Sequence, residues 1–351
     1  MNEGDMEYGS EHVLIAASYR WPAYAPAFAE ALEKIGVKVS RFPFETYLDS
    51  FASRFQVRIG FGPSVVALNL HLRSAVKRLQ PTICLVWNGL AVWPSTVRDL
   101  ARHCWVTSYT NDDPFGPRGS ALYWRHFRHA LPCYNSHHVY RDINVSEYQA
   151  RGATSVGLLR SYYVPWLHYP DIADQTGDEP QSIVFVGHGE PDRVEVLAAL
   201  AKKNLPVRVY GPSKTWGELH RKDTAGIEFC AGGLGPVHYR QVLSRSAICL
   251  GFFSCLNRDD YTRRYFEIPA CGSFLLAMRS EFVLSLYVEG KEAEFFDTPD
   301  EAVHKCQQYL ASPIRRHEIA EAGKRRCLES GYDVITRAHS WLQDLLEFRI
   351  Q

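Results

Sequence analysis

SIVFVGHGEPDRVEVLAALAKKNLPVRVYGPS, residues 182–213, decides the fold. SIVFVGH (182–188) is an apolar run that reaches a glycine, RVEVLAALAKKN (193–204) repeats apolar residues at helical spacing, and VRVYGPS (207–213) is apolar again before turn formers. Strand, helix and strand in that order predict a parallel sheet flanked by helices.

The alternation extends outward in both directions. Toward the C-terminus HYRQVLSRS (238–246), AICLGFF (247–253), TRRYFEIPACG (262–272) and SFLLAM (273–278) continue it, and 301–330 and 334–348 are helical by period. Nearer the start, HVLIAAS (12–18) precedes the helix PAFAEALEKIG (26–36), which Gly36 stops. VKVSRFPF (37–44), the helix SVVALNLHLRSAVKRLQ (64–80), the strand TICLVWNG (82–89), the helix STVRDLARH (95–103) and the strand and loop CWVTSYTNDDP (104–114) follow. Between the two series, SYYVPWLHYPDIADQTGDEP (161–180) loses periodicity and collects turn formers, so the linker is expected there. A chain of 351 residues suits two domains of roughly 150 residues each.

Composition excludes several classes. With 46% hydrophobic and 22% charged residues each half can bury a core. Thirty-nine basic and 39 acidic side chains cancel, so no summed field draws the protein onto nucleic acid or an anionic membrane, although a local basic pocket remains open. The nine cysteines are odd in number and never spaced CxxC, which points to reduced core residues in a cytoplasmic protein. The first dozen residues are polar and acidic, and no run approaches 18 apolar residues, so neither a secretory signal nor a transmembrane segment is expected.

In a parallel sheet, ligands sit beyond the carboxyl ends of strands. The loop after AICLGFF packs Arg258, Asp259, Asp260, Thr262, Arg263, Arg264 and Glu267 ahead of an apolar strand. If TRRYFEIPA begins a helix, its unpaired amides and a nearby guanidinium suit a diphosphate, with Arg264 and Arg193 the candidates and Arg263 a substitute. Glu267 then either accepts both hydroxyls of a ribose or is a solvated capping acid, and Asp259 either lies by a sugar or caps a turn. Gly187 lets the backbone approach a ligand, and His188 is either a contact or a plain loop histidine.

RDDYTRRYFEIPACGSFLL (258–276) resembles the C-terminal half of the CgeB-like glycosyltransferases. VFVGHGEPDR (184–193) and LYVEGKEAEFFDTPDEAVHKCQQYLASPIRRHEIAEAGKRRCLE (286–329) are similar to other parts of that half, and NGLAVWPSTVRDL (88–100) and SYTNDDPFG (108–116) to the N-terminal half. The resemblance implies an α/β fold of the GT-B type, two Rossmann-like parallel-sheet domains facing a cleft. Residues 1–165, joined by the helix 334–351, form the acceptor side, and 166–333 bind the donor. It further implies transfer of a sugar from a nucleotide-sugar to a saccharide, glycan or protein-linked acceptor, with retention, in polysaccharide or glycoconjugate synthesis.

By the same resemblance Glu267 binds the ribose and Asp259, eight positions ahead where the first acid of the pair is usually Glu, lies by the donor sugar; Tyr210 and Gly211 join the donor set. Asp112 or Asp113 orients or deprotonates an acceptor hydroxyl, or else forms an Asx-type turn before Pro114. Tyr19, Trp21 and Tyr24 stack on acceptor sugars or pack. His12 lies before a strand and His103, His137 and His138 lack partners at metal spacing, so each is expected to pack or lie on the surface. The paired carboxylates of SYTNDDPFG lie in the other half from the donor segment and are not read as a metal site, so no metal or other cofactor is expected. A nucleotide-sugar epimerase and a non-catalytic nucleotide-sugar-binding protein are the competing readings.

Overall fold

The computed structural model describes residues 8–117, 122–171, 182–216 and 226–350. Residues 1–7 and 172–180 of the expected linker lie outside them. The chain divides into one unit made of Met1–Arg160 with Val334–Gln351, and a second made of Ser161–Asp333. The second unit begins at Ser161 and not at 166 because its first residues are already tied down. The Ser161 amide donates to the Tyr261 hydroxyl at 3.2 Å and the Tyr163 amide to the Tyr332 carbonyl at 3.0 Å.

The first unit runs β1 (His12–Ala17), α1 (Ala25–Lys34), β2 (Lys38–Pro43), α2 (Glu45–Leu48), α3 (Phe51–Ile59), α4 (Pro63–Leu79), β3 (Ile83–Trp87), α5 (Pro94–Leu100), β4 (Trp105–Thr110), α6 (Arg125–Ala130), β5 (Ser136–Val139), α7 (Asp142–Gln149) and β6 (Val156–Leu158). Its strands form a parallel sheet in the order β2-β1-β3-β4-β5-β6. Every residue of β1 and β3 is buried, as continuous apolar runs in a sheet covered on both faces must be, whereas the edge strand β2 buries only Phe42. Gly36 ends α1 with φ 86°, a left-handed turn that suits glycine.

The second unit continues with β7 (Ile183–Val186), α8 (Pro191–Lys202), β8 (Val207–Gly211), β9 (Ile227–Ala231), α9 (Pro236–Ser244), β10 (Ile248–Gly251), α10 (Arg264–Ala270), β11 (Leu275–Met278), α11 (Glu281–Leu286), β12 (Glu294–Phe296), α12 (Pro299–Leu310) and α13 (Pro313–Glu329). The order of its parallel sheet is β12-β11-β10-β7-β8-β9, so the winding direction reverses between β7 and β10. The expected single helix of 301–330 is two, broken where Pro313 opens α13. α14 (Val334–Ile350) returns to the first unit and packs its Trp341 against Phe28 of α1, ring centres 5.3 Å apart. Each unit has its own core, Leu14, Val65, Val86 and Val106 in the first and Phe185, Leu197, Ile248 and Leu276 in the second.

Candidate functional site

A reversal in strand order splays the loops beyond the carboxyl ends of the two central strands and leaves a crevice. In the second unit those are the loops after β7 and β10. The β7 end is drawn against β8: the Gly187 amide donates to the Tyr210 carbonyl at 2.8 Å, and a methyl on Gly211 would lie 2.0 Å from the Gly187 oxygen.

Two guanidiniums flank the Phe185 ring here, Arg193 at 5.7 Å and Arg264 at 5.5 Å from its centre. They are used differently. Arg193 is buried and donates to the carbonyls of His188 at 2.9 Å and Phe253 at 2.6 Å, while pairing with Glu190 at 3.1 Å. Expected on a phosphate, it instead ties the two loops together. Burial lowers its pKa, Glu190 opposes that, and the neighbouring Arg264 charge adds to it. Arg264 makes no hydrogen bond or ion pair among the described residues, and its Nε is a buried donor with no acceptor. A methyl on Gly187 would come within 2.7 Å of the Phe185 ring and 3.2 Å of Arg264 Nη2.

Glu267, one turn into α10, is only 2% exposed. Tyr239 of α9 donates to Oε2 at 2.6 Å, Arg263 pairs with Oε1, and His168 Nε2 stands 3.5 Å from Oε1. Burial pushes the carboxyl up, but Arg263, His168, the Tyr239 hydroxyl and Arg264 together bring it below its ordinary value. The Val164 amide donates to His168 Nδ1 at 2.9 Å, which leaves the proton on Nε2, toward the carboxylate. Burial pushes the His168 pKa down to about 4, so the ring is neutral at pH 7. Glu267 is therefore not the solvated acid of the alternative reading. Oε2 is taken by Tyr239, whereas Oε1 is ion-paired with Arg263 and accepts no hydrogen bond among the described residues. Asp259 lies on the β10 loop with its amide donating to the Ser254 carbonyl at 3.1 Å, and His188 is exposed.

The residues expected on the acceptor side belong to the first unit. Asp113 is fully buried, and its Oδ1 accepts from the Phe115 amide at 2.9 Å and from Asn144 Nδ2 at 3.0 Å. That is the Asx-type turn, so the carboxylate is not placed to deprotonate an acceptor. Asp113→Ala is expected to cost about 1–3 kcal/mol by stranding those donors, measured by chemical denaturation, with nucleotide affinity unchanged. An inactive variant of native stability would return Asp113 to acceptor chemistry. Asp112 is partly exposed, its amide donating to Thr110 Oγ1 at 3.2 Å. Tyr19 is half-buried with its hydroxyl on the Ile15 carbonyl at 3.3 Å, while Trp21 is 65% exposed. Glu45 organises this loop, accepting from the Ser18 hydroxyl, from the Tyr19 amide at 2.8 Å and from the Arg20 amide at 3.2 Å. His137 and His138 are fully buried, His12 is buried and bonded to Ser40 at 2.9 Å, and His103 is exposed.

Ligand atoms of Glu190, Asp192 and Cys255 lie within 4.8 Å of one another. Glu190 is already engaged by Arg193 and by the Ser254 hydroxyl at 3.0 Å, which fills the carboxylate without an ion.

Residues 193–343 match a family model described as glycosyl transferase-like. Sucrose-phosphate synthase from Thermosynechococcus elongatus superposes with a TM-score of 0.73 at 11% identity, covering 97% of this chain and 99% of its own. The fold is GT-B. Anabaena HepE in complex with UDP and glucose gives 0.67 at 11% identity over 96% of this chain and 100% of its own. The α,α-trehalose 6-phosphate synthase from Burkholderia multivorans gives 0.64 at 9% identity over 97% and 99%. None of the curated proteins matches the sequence. The segment that matches the glycosyl transferase-like model starts at Arg193 and contains Tyr239, Arg264 and Glu267.

Tyr239, His168, Glu190 and Glu45 are the polar residues of these GT-B loops that sequence reasoning missed. Tyr239 looked like one more polar position of a helix, and His168 fell in the expected linker. Neither shows its carboxylate partner until the sheet is assembled.

Proposed function

We propose that the chain transfers a sugar from a nucleotide-sugar, bound in the second unit, to a saccharide, glycan or protein-linked acceptor in the cytoplasm, without a metal and with retention. The observation that carries this reading is Arg264, an arginine without an ion-pair partner among the described residues, beside Gly187 at the reversal point of the sheet. Charge grows on the diphosphate as the sugar leaves, and a fixed guanidinium meets it without reorganisation. Asp259 and Glu267 keep the spacing of the two-acid transferases, which supports retention and the CgeB-like subgroup. UDP is the first nucleotide to try, because HepE binds it.

Calorimetric titration with nucleoside diphosphates tests the site. Arg264→Ala is expected to weaken the nucleotide that binds by about 1.5–3 kcal/mol, the range for a hydrogen bond to a charged group. Unchanged affinity removes Arg264 from the site. Transfer is then read by product analysis, and free epimerised sugar in place of a transfer product would overturn the transferase reading.

A further inference from the structure

The first unit carries a basic and aromatic surface that the donor site does not use. From Ser50 to Arg141 the sequence holds eleven lysines and arginines against three acids, within a chain whose 39 basic and 39 acidic side chains cancel. Of the three acids, Asp113 is fully buried, and Asp99 sits within 4.0 Å of Arg73, Lys77 and Arg102.

α3 stands at the centre of this surface. Phe51, Phe55 and Ile59 follow one another at helical spacing and are 84, 61 and 39% exposed, and Phe61 beyond the helix end is 63% exposed. The helix buries only Ser53. Arg54 and Arg58 flank the apolar stripe, both exposed and neither in an ion pair among the described residues. At its C-terminal end the stripe runs on into neighbouring elements. Arg125 Nη2 donates to the Ile59 carbonyl at 3.1 Å, Trp93 Nε1 donates to the Gly60 carbonyl at 3.0 Å, and the Phe61 ring stacks on Trp93 at 6.2 Å. A pocket of about 410 Å³ between them is lined by Phe61, Trp93, Arg98, Arg125 and His126 among others, and a second of about 420 Å³ by Arg125, Arg128, His129, Pro132 and Arg151. Neither pocket has an acidic lining residue among the described residues.

Large apolar side chains left in water beside unpaired guanidiniums describe one kind of neighbour well. Phenylalanines on one helix face enter the boundary between headgroups and acyl chains, while arginines at the same level meet lipid phosphates. We infer that the first unit docks through this face onto a bilayer containing anionic phospholipid. The contact is peripheral, since among the described residues no helix is long and apolar enough to cross a membrane. A second copy of the face is disfavoured because it would bring like charges together.

Co-sedimentation with vesicles of phosphatidylcholine, with and without phosphatidylglycerol, tests the proposal on the full chain. The protein should sediment with the mixed vesicles, much less with phosphatidylcholine alone, and less as salt is raised. Phe51→Ser/Phe55→Ser and Arg54→Glu/Arg58→Glu should each weaken binding by roughly tenfold or more while melting at the native temperature. If a double variant melts early, Phe51→Ser, at the most exposed of the four apolar positions, is read in its place. Absence of sedimentation, equal binding to both vesicle types, native binding by the variants, or a solution dimer that the Phe variants dissolve would each overturn it.

Discussion

Ending the chain at Asp333 is expected to unfold the first unit while leaving the second folded. The deleted helix α14 supplies Val334, Ala338, Trp341, Leu342 and Leu345 to the interior of a unit that is otherwise complete by Arg160. Its loss would uncover Phe28 beneath Trp341 and His138, which stands 3.5 Å from Asp344. It would also remove the Tyr8 hydroxyl contact to His339 at 3.0 Å and the Arg349 pairing with Glu11 at 2.9 Å. Burying a large apolar side chain contributes about 1.5–3 kcal/mol, so Trp341, Leu342 and Leu345 alone approach the roughly 5–15 kcal/mol by which domains are stable. Calorimetry should show one of two melting transitions lost, and proteolysis should clear residues 12–158 first. A truncated chain with two native transitions would show that α14 is dispensable.

The second large effect is expected at Glu267. Glu267→Ala leaves the Tyr239 hydroxyl and the Arg263 guanidinium without their acceptor and His168 Nε2 without a facing carboxylate. Breaking a buried pair costs about 3–5 kcal/mol, and the lower end applies because Arg263 keeps 23% of its side chain in solvent. Glu267→Gln keeps the shape and the acceptor for Tyr239 but loses the charge, and should cost less. Denaturation midpoints separate the two variants, and nucleotide titration separates two roles. If the carboxylate takes the ribose hydroxyls, Gln loses affinity at nearly native stability; if it orders Arg263 and Tyr239, affinity and stability fall together. Native stability in Glu267→Ala would remove the carboxylate from any structural role.

Both sheets were legible in the sequence where strands are buried on two faces. β1, β3 and β10 read as unbroken apolar runs because helices cover them, and the βαβ of β7, α8 and β8 gave the parallel order. The shortest and most polar strands were not legible. β6 and β12 are three residues each, too short for any period, and SHHV of β5 looks polar although it is wholly buried. His137 is tolerated there because Ser108 and the Leu131 carbonyl satisfy its ring at 2.6 and 3.0 Å. Burial pushes its pKa down to about 3. Within the site, the arginines and Glu267 stood out as charges ahead of an apolar strand. What they do could not be read, because Arg193 and Glu267 are defined by loop carbonyls and by α9, which only the folded sheet brings near.

The ends of the second unit lie side by side, Tyr163 bridged to Asp333 and its amide bonded to Tyr332. A polypeptide emerging from the ribosome thus completes the second unit before the first has received its last helix. For the time needed to synthesise residues 161–333, the first unit waits with Phe28 and His138 uncovered, and it closes only when α14 arrives.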